Sequence, residues 1–412
     1  MAIWIVLLAG SVAFGTLVVG ALVLPRTLSP LALLLGLASL VTAVWAFGQI
    51  AQRYQSPEAL ISAVAILVAS IGAGFAVATS ALPHLAGMPR PVTLPDTVPT
   101  TPESRGVVLI SCAEPDRYRS SAVARRQNLL AESAEIDVPG AALPFVFFAE
   151  KARYRAVGGG APGAAPARSV AQAVAERLSP GVSGVQLAWC HTPVSLTAAV
   201  ATLAHAGSGR VAVLVLGPSE SAPLDAAHQL LDRALRDRPG LEVVFGAPVW
   251  NDRLLPARLA ERILAATSGV DRADLGVVLV DPGLPPVWER RYTGAQNVEN
   301  YFDQRVRLLL CEAGVAEHHV RVAWLEWQTP DVTEAVRHLA ALGCRRIVVA
   351  ASTIALPTLD TVLDLGHAIA LARVPAGVQV VTVSPWGDDA GFIEAVCQSA
   401  ATALGIDFVR RG

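Results

Sequence analysis

The sequence predicts an α/β protein of two similar lobes built on parallel sheets, preceded by three transmembrane helices. Three observations carry this prediction. Long uncharged apolar runs occupy the N-terminal part of the chain, short β-branched runs alternate with helical patterns through the remainder, and the second half of that remainder echoes the first.

The apolar runs are residues 2–25, 30–51 and 58–82. They raise the chain to 53% hydrophobic residues and a mean hydropathy of +0.48, above the range of an ordinary soluble enzyme. A helix over each run is long enough to cross a hydrocarbon core of about 30 Å. The first run lacks a basic leader and is too long for a cleaved signal peptide, so residues 1–86 read as a three-helix anchor in a lipid bilayer. Arg26 and Arg90 fall on one side of the anchor and Arg53 on the other. The positive-inside bias then predicts a multi-pass cell-membrane protein with a cytoplasmic C-terminal part. Residues 87–105, rich in Pro and Thr, read as an extended linker. A net charge of −2 carries no nucleic-acid footprint. The five cysteines, at 112, 190, 311, 344 and 397, form no Cys-x-x-Cys pair, which argues against a structural zinc site and a disulfide framework and fits a reducing compartment.

Beyond the linker, strands are predicted over 106–112, 211–216, 242–246, 276–280, 320–324, 346–350 and 378–383. Their continuous apolar character points to parallel sheets covered on both faces. Helical segments separate them. In 331–342, Val332, Ala335, Val336, Leu339 and Ala340 recur at helical spacing, with Thr329 as the expected cap, Pro330 in the first turn and Gly343 at the end.

The repeat pairs AWCHTPVSLTAAVATLAHAG (188–207) with AWLEWQTPDVTEAVRHLAALG (323–343). It also pairs PVWNDRLLPARLAERI (248–263) with SPWGDDAGFIEAVCQS (384–399), and GVVLISCAEP (106–115) with GVVLVDPGLP (276–285). Two Rossmann-like lobes follow, 106–268 and 269–412, with a site expected in a cleft at the carboxyl ends of their strands. The repeat-related Trp189, Trp324, Trp250 and Trp386 are expected mainly as packing anchors.

YRAVGGGAPG, residues 154–163, is the most distinctive local stretch. It lacks the Lys-Ser/Thr of a phosphate-binding P-loop, and it lies about 40 residues past the first strand, outside the place of a dinucleotide fingerprint. The longer segment YRAVGGGAPGAAPARSVAQAVAERL (154–178) resembles a segment of the ferrochelatase family. Further resemblances follow in order: VVLISCAEPDR (107–117), WCHTPVSLTAAV (189–200), VVLVDPGLPPVWERRYTGAQNVENYFDQRVRLLL (277–310) and SPWGDDAGFIEAV (384–396). The resemblance spans roughly 106–407 and leaves out the anchor. It implies a chelatase-type fold and insertion of Fe2+, or another divalent metal, into a porphyrin in haem biosynthesis. The metal enters as substrate, and no tightly bound cofactor is expected. With only Cys397 near the C-terminus, an iron–sulfur cluster is not expected. Membrane-associated tetrapyrrole enzymes are implied as partners.

The same resemblance assigns site residues. Tyr154, Arg155 and the turn of Gly158, Gly159 and Gly160 would border the tetrapyrrole, with Lys151, Arg153 and Arg155 meeting its propionates; Gly283 and Leu284 form the Gly-Leu-Pro turn of the second lobe. The essential family His precedes that turn, and here the position is Pro282, which offers neither a proton nor a metal lone pair. The family Glu facing that His maps to Asp360, with Asp364 one turn later, and a second family His maps to Thr358. Asp360 is thus the expected base or metal relay, with Asp281, beside the lost His, as second candidate. Cys112 ends the first strand, where some members carry a Tyr near the metal face, and is a candidate thiolate ligand. His191 follows a repeated strand and is a candidate substrate contact in the cleft; His367, about two helical turns beyond Asp360, is a candidate metal ligand together with Asp364. The alternative reading is a non-catalytic carrier or sensor of a tetrapyrrole or metal, its His lost to Pro282.

Overall fold

A computed structural model of the chain describes residues 1–25, 27–87, 92, 94, 104–192, 194–218, 220–236, 238 and 240–409. Arg26, Arg90, Pro193 and most of the expected linker lie outside the described residues. The chain forms two compact units, Met1–Met88 with Arg117–Gly159, and Pro89–Asp116 with Gly160–Gly412.

The first unit is helical. The three apolar runs become α1 (Ala2–Val23), α2 (Ser29–Tyr54) and α3 (Pro57–Ser80), each long and apolar enough to cross a membrane. Ser56 caps α3 by accepting the Ala59 N–H at 3.2 Å, and Pro57 opens its first turn. The backbones of α1 and α3 touch where both lack a side chain: a Cβ on Gly15 would meet Ile71 O at 2.2 Å, and one on Gly74 would meet Val12 O at 2.1 Å. Small residues of this kind let membrane helices pack by close approach. Residues 117–159, read from sequence as part of the first lobe, supply α4 (Ser120–Ala134) and α5 (Leu143–Ala156). Both pack on one end of this bundle, where Val123, Ala124 and Phe147 share a core with Val19, Val23 and Leu82.

The second unit holds β1 (Arg105–Ser111), α6 (Ala164–Leu178), β2 (Gly184–Trp189), α7 (Val194–His205), β3 (Arg210–Leu216), α8 (Ala222–Leu235), β4 (Glu242–Phe245) and α9 (Leu255–Ala265). The second lobe continues with β5 (Leu275–Asp281), α10 (Pro286–Arg291), α11 (Thr293–Glu312), β6 (Val320–Trp324), α12 (Val332–Ala341), β7 (Arg346–Ala351), α13 (Leu365–Leu371), β8 (Gln379–Val383) and α14 (Ala390–Leu404). The two sheets are parallel, ordered β2-β1-β3-β4 and β6-β5-β7-β8. The same strand order in both lobes is the structural counterpart of the sequence repeat.

Two details depart from the sequence expectations. Of β2, GVQLAW, the sequence shows only the end at 188–189, because Gly184 and Gln186 interrupt its apolar pattern; as an edge strand it needs less burial. The cap of α12 is Asp331, not Thr329: Asp331 accepts the Glu334 N–H at 2.7 Å while Glu334 accepts the Asp331 N–H at 3.3 Å. This reciprocal pair satisfies two orphan donors at once.

The inner faces of both sheets share one core with α6, α9, α11 and α14, while α7 with α8 and α12 with α13 cover the outer faces. At the middle of the shared core the repeat-related Trp250 and Trp386 stand 6.3 Å apart. Each bonds the end of its own lobe's third strand, Trp250 Nε1 to Gly217 O at 3.0 Å and Trp386 Nε1 to Ser352 O at 2.8 Å. These two tryptophans are packing anchors at this join.

Candidate active site

In each lobe the strand ends bring polar side chains out of an apolar core. β1 and β2 deliver Cys112 and Cys190. Their preceding residues Ser111 and Trp189 are register partners, and the Cys190 N–H donates to Ser111 O at 3.0 Å, so the two thiols stand side by side. Cys112 is half-buried and Cys190 buried. A hydrogen bond between the thiols, followed by burial, pushes the Cys190 thiol well up. His191, next along, is half-buried.

β5 ends at Asp281, which is 2% exposed. Its carboxylate accepts the Thr353 hydroxyl at 2.6 Å and the Thr353 N–H at 3.3 Å, both from the end of β7. α11 crosses this point with a buried stripe of Glu299, Phe302, Asp303, Val306 and Leu310. Two acids therefore sit in an otherwise apolar helix face. Asp303 accepts the Ser352 hydroxyl and lies beside Asp281. Burial pushes all three carboxyls up. Asp303 is raised further by the charge of Asp281. The two carboxyls share one proton. Carboxyls held this close cannot both ionise without cost. Glu299 is raised first by burial, then by the charges of Asp281 and Cys112, so the cluster reaches electrostatically to the first lobe. On its other side Asp303 lines a cleft of about 350 Å³ between α11 and the β6 edge, with Leu279, Val322 and Arg307.

The Gly-Leu-Pro turn follows Asp281. Gly283 has φ +79°, and a Cβ there would lie 2.0 Å from Glu326 O. The turn is tied to the end of β6 by the Leu325 N–H on Asp281 O at 3.0 Å and the Glu326 N–H on Pro282 O at 3.2 Å; Leu284 is buried beside it. Gly283→Ala is expected to cost about 1–3 kcal/mol from backbone strain alone, read as a fall in the thermal midpoint of the full-length protein.

Segment 357–364 meets the first lobe through Glu114, whose Oε1 accepts the Leu359 N–H at 2.7 Å. Asp360 then opens a π-wound turn, Asp360–Asp364, closed by the Leu365 N–H on Asp360 O. Such turns recur at functional sites. Asp360 is half-buried, while Asp364 and His367 are exposed. The spacing argument for His367 assumed regular α-helix, and the π winding breaks that phase.

The glycine run closes α5. Gly158 and Gly159 take φ +85° and +93°, and the Gly159 N–H donates to Tyr154 O at 2.8 Å, a helix stop that only glycine adopts without strain. Gly160 is exposed and precedes Ala161, whose N–H donates to Asp116 O at 2.9 Å. Tyr154 is buried edge-on against Tyr118 at 6.2 Å, and Arg155 is exposed; both belong to the helical unit. Lys151, expected at a propionate, donates instead to Ala21 O at 2.8 Å and Leu24 O at 3.2 Å, and Arg153 pairs with Glu150 at 3.1 Å.

The structure thus gathers Asp281 with Glu299 and Asp303, and Cys112 with Cys190. Glu299, Asp303 and Cys190 were not singled out in the sequence. The signal for the first two was present: acids four apart, on the stripe set by Phe302, Val306 and Leu310. Among the described residues no group of three or more His, Cys, Asp or Glu is arranged to hold a metal ion.

Comparison with solved structures finds SirB from Bacillus subtilis with Fe3+, at 14% identity and a TM-score of 0.45, covering 74% of this chain and 100% of that one. The same protein from Bacillus subtilis subspecies spizizenii in complex with cobalt gives 13% identity and 0.42, covering 73% and 95%. CbiX, described as the terminal enzyme for biosynthesis of siroheme in denitrifying bacteria, gives 14% and 0.40, covering 73% and 99%. No curated protein matches the chain significantly. The family model described as Ferrochelatase matches residues 104–404. That match takes in the strands of both lobes and the acid cluster of the second, and the chain belongs to the ferrochelatase family.

Proposed function

We propose that this protein is a membrane-anchored metal chelatase that inserts Fe2+, or another divalent ion, into a porphyrin. The observation that carries the reading is the buried cluster of Asp281, Glu299 and Asp303 beside the turn where the family His is lost to Pro282. Metal insertion expels two pyrrole protons, which need an acceptor near neutral pH. Buried carboxyls with raised proton affinity meet that need, as perturbed groups often do at working sites.

Asp360, half-buried on its π turn, is assigned as the group that first takes a proton or passes the metal, and Cys112 as a thiolate donor. The acid cluster supplies the response. A cation arriving at Cys112 favours ionisation of Glu299, which feels that site directly, and through it the Asp281–Asp303 pair. When the ion passes to the ring, the cluster takes up protons again, and the cleft beside Asp303 gives them a way out to solvent.

Full-length protein in detergent, mixed anaerobically with protoporphyrin or coproporphyrin and Fe2+ or Zn2+, tests this through the porphyrin absorbance bands. Asp360→Ala and Cys112→Ser are each expected to slow conversion at least tenfold while the bound-porphyrin spectrum persists. Conversion at the unaltered rate in both variants would remove these assignments. The second reading, a carrier or sensor, is favoured by Pro282 itself, and a bound spectrum with no conversion in the unaltered protein would support it.

A further inference from the structure

The helical unit carries an apolar face that its own packing does not use. On α5, Phe147 is 1% exposed and packs against α1 and α4, yet Phe145 is 58% and Phe148 47% exposed. Counted by three and four, the outward stripe runs Phe145, Phe148, Ala152 and ends on Arg155, all exposed. Exposed Phe side chains with basic residues on the same helix can seat it in a membrane interface.

The position of α5 on the bundle says what covers this stripe. Lys151 Nζ lies on the last carbonyls of α1, Ala21 O and Leu24 O, where a cation also answers the helix dipole. The Tyr118 hydroxyl donates to Val23 O at 2.6 Å at the same helix end. Arg125 donates to Ala86 O at 3.0 Å and Asn128 to Pro83 O at 3.1 Å, just past α3. Thus α4 and α5 are fastened where α1 and α3 both end. α1 has 22 residues, about 33 Å of helix, so its last turn lies at the boundary of a hydrocarbon core about 30 Å thick.

We propose that α5 is an interfacial membrane helix, its Phe145–Phe148 face covered by the acyl chains of the bilayer that α1–α3 span. The inference rests on the spanning reading of those three helices and is independent of any tetrapyrrole chemistry. Attachment to lipid then extends beyond the anchor into the segment inserted between β1 and α6. A second copy of this chain is the competing occupant of the stripe.

The test uses full-length protein in phosphatidylcholine–phosphatidylglycerol nanodiscs doped with a phospholipid bearing a diazirine in its acyl chain. After illumination, adducts are mapped by peptide mass spectrometry. Adducts are expected on the peptide containing Phe145 and Phe148 as well as on α1–α3. Phe145→Gln with Phe148→Gln should cut the α5 adducts severalfold and leave those on α1–α3 unchanged, which also shows that the variant inserts normally. Adducts confined to α1–α3, or α5 peptides cross-linked between two copies, would overturn the proposal. Absence of adducts from all four helices would remove the spanning reading and this inference with it, leaving the chelatase reading to its own assay.

Discussion

Trp386→Ala is expected to destabilise the α/β unit by about 3–5 kcal/mol, the range for deleting a large buried aromatic side chain. Trp386 is 2% exposed. It stacks on Phe392 at 5.9 Å, meets Phe302 edge-on at 6.3 Å and lies under the Arg262 guanidinium at 5.1 Å. Little can collapse into the space it leaves, because Trp250, Phe302 and Phe392 are themselves held on three elements. The loss also reaches the acid cluster. Trp386 Nε1 holds the Ser352 carbonyl, and the Ser352 hydroxyl donates to Asp303. Hydrogen exchange on the detergent-solubilised chain reads the effect: amides of β5 and β7 should exchange faster by two orders of magnitude or more. Trp386→Phe should keep most of the protection, since it loses the indole N–H but fills most of the volume. Unchanged exchange in Trp386→Ala would mean that the two lobes do not depend on this join.

Asp303→Asn is expected to flatten the pH response around the cluster. In the folded protein, burial and then the charge of Asp281 raise Asp303 well above the ordinary carboxylate value, whereas in the unfolded chain it titrates near pH 4. The folded state therefore binds the extra proton. The stability this group contributes is fully present below about pH 4 and is lost as pH rises through the folded value, at up to about 1.4 kcal/mol per pH unit for each proton. Asparagine at 303 keeps a donor toward Asp281 and an acceptor for Ser352 but has no proton to lose. The variant should match the parent at acid pH and gain on it steadily as pH rises, in thermal midpoints taken at a series of pH values. Parallel pH profiles would show that the folded cluster holds no extra proton. Since the cluster titrates as a coupled unit, Glu299→Gln should flatten the same profile.

Much of the fold was legible because it rests on long patterns. The three apolar runs fall within a few residues of α1–α3, and the paired segments foretold two similar lobes, which the structure builds with the same strand order. Only the end of β2 showed, because an edge strand with a Gln needs no continuous apolar run. The site was harder to read. Sequence led to the strand end at Asp281 and to Cys112, but their partners come from elsewhere in the chain: Asp303 and Glu299 from α11, Cys190 from the neighbouring strand. The acids were hidden by their type, since a Glu or Asp on a helix is usually solvated, and only its place on the apolar stripe marks it as buried. Lys151 and Tyr154 show the opposite limit. Their sequence context suggested ligand contacts, whereas the hydrogen bonds of Lys151 run to α1 and the ring of Tyr154 packs on Tyr118. The cap of α12 moved two residues because Asp331 with Glu334 forms a reciprocal pair that Thr329 does not.

The most direct measurement is the anaerobic conversion of a free porphyrin by the unaltered full-length protein, with Fe2+ supplied and absorbance followed against a protein-free control. A chelatase whose acid cluster serves in place of the family His should form the metalloporphyrin faster than the control, with a rate that depends on pH. A porphyrin that binds and is never metallated, with either Fe2+ or Zn2+ at any pH where the protein stays folded, would contradict that claim.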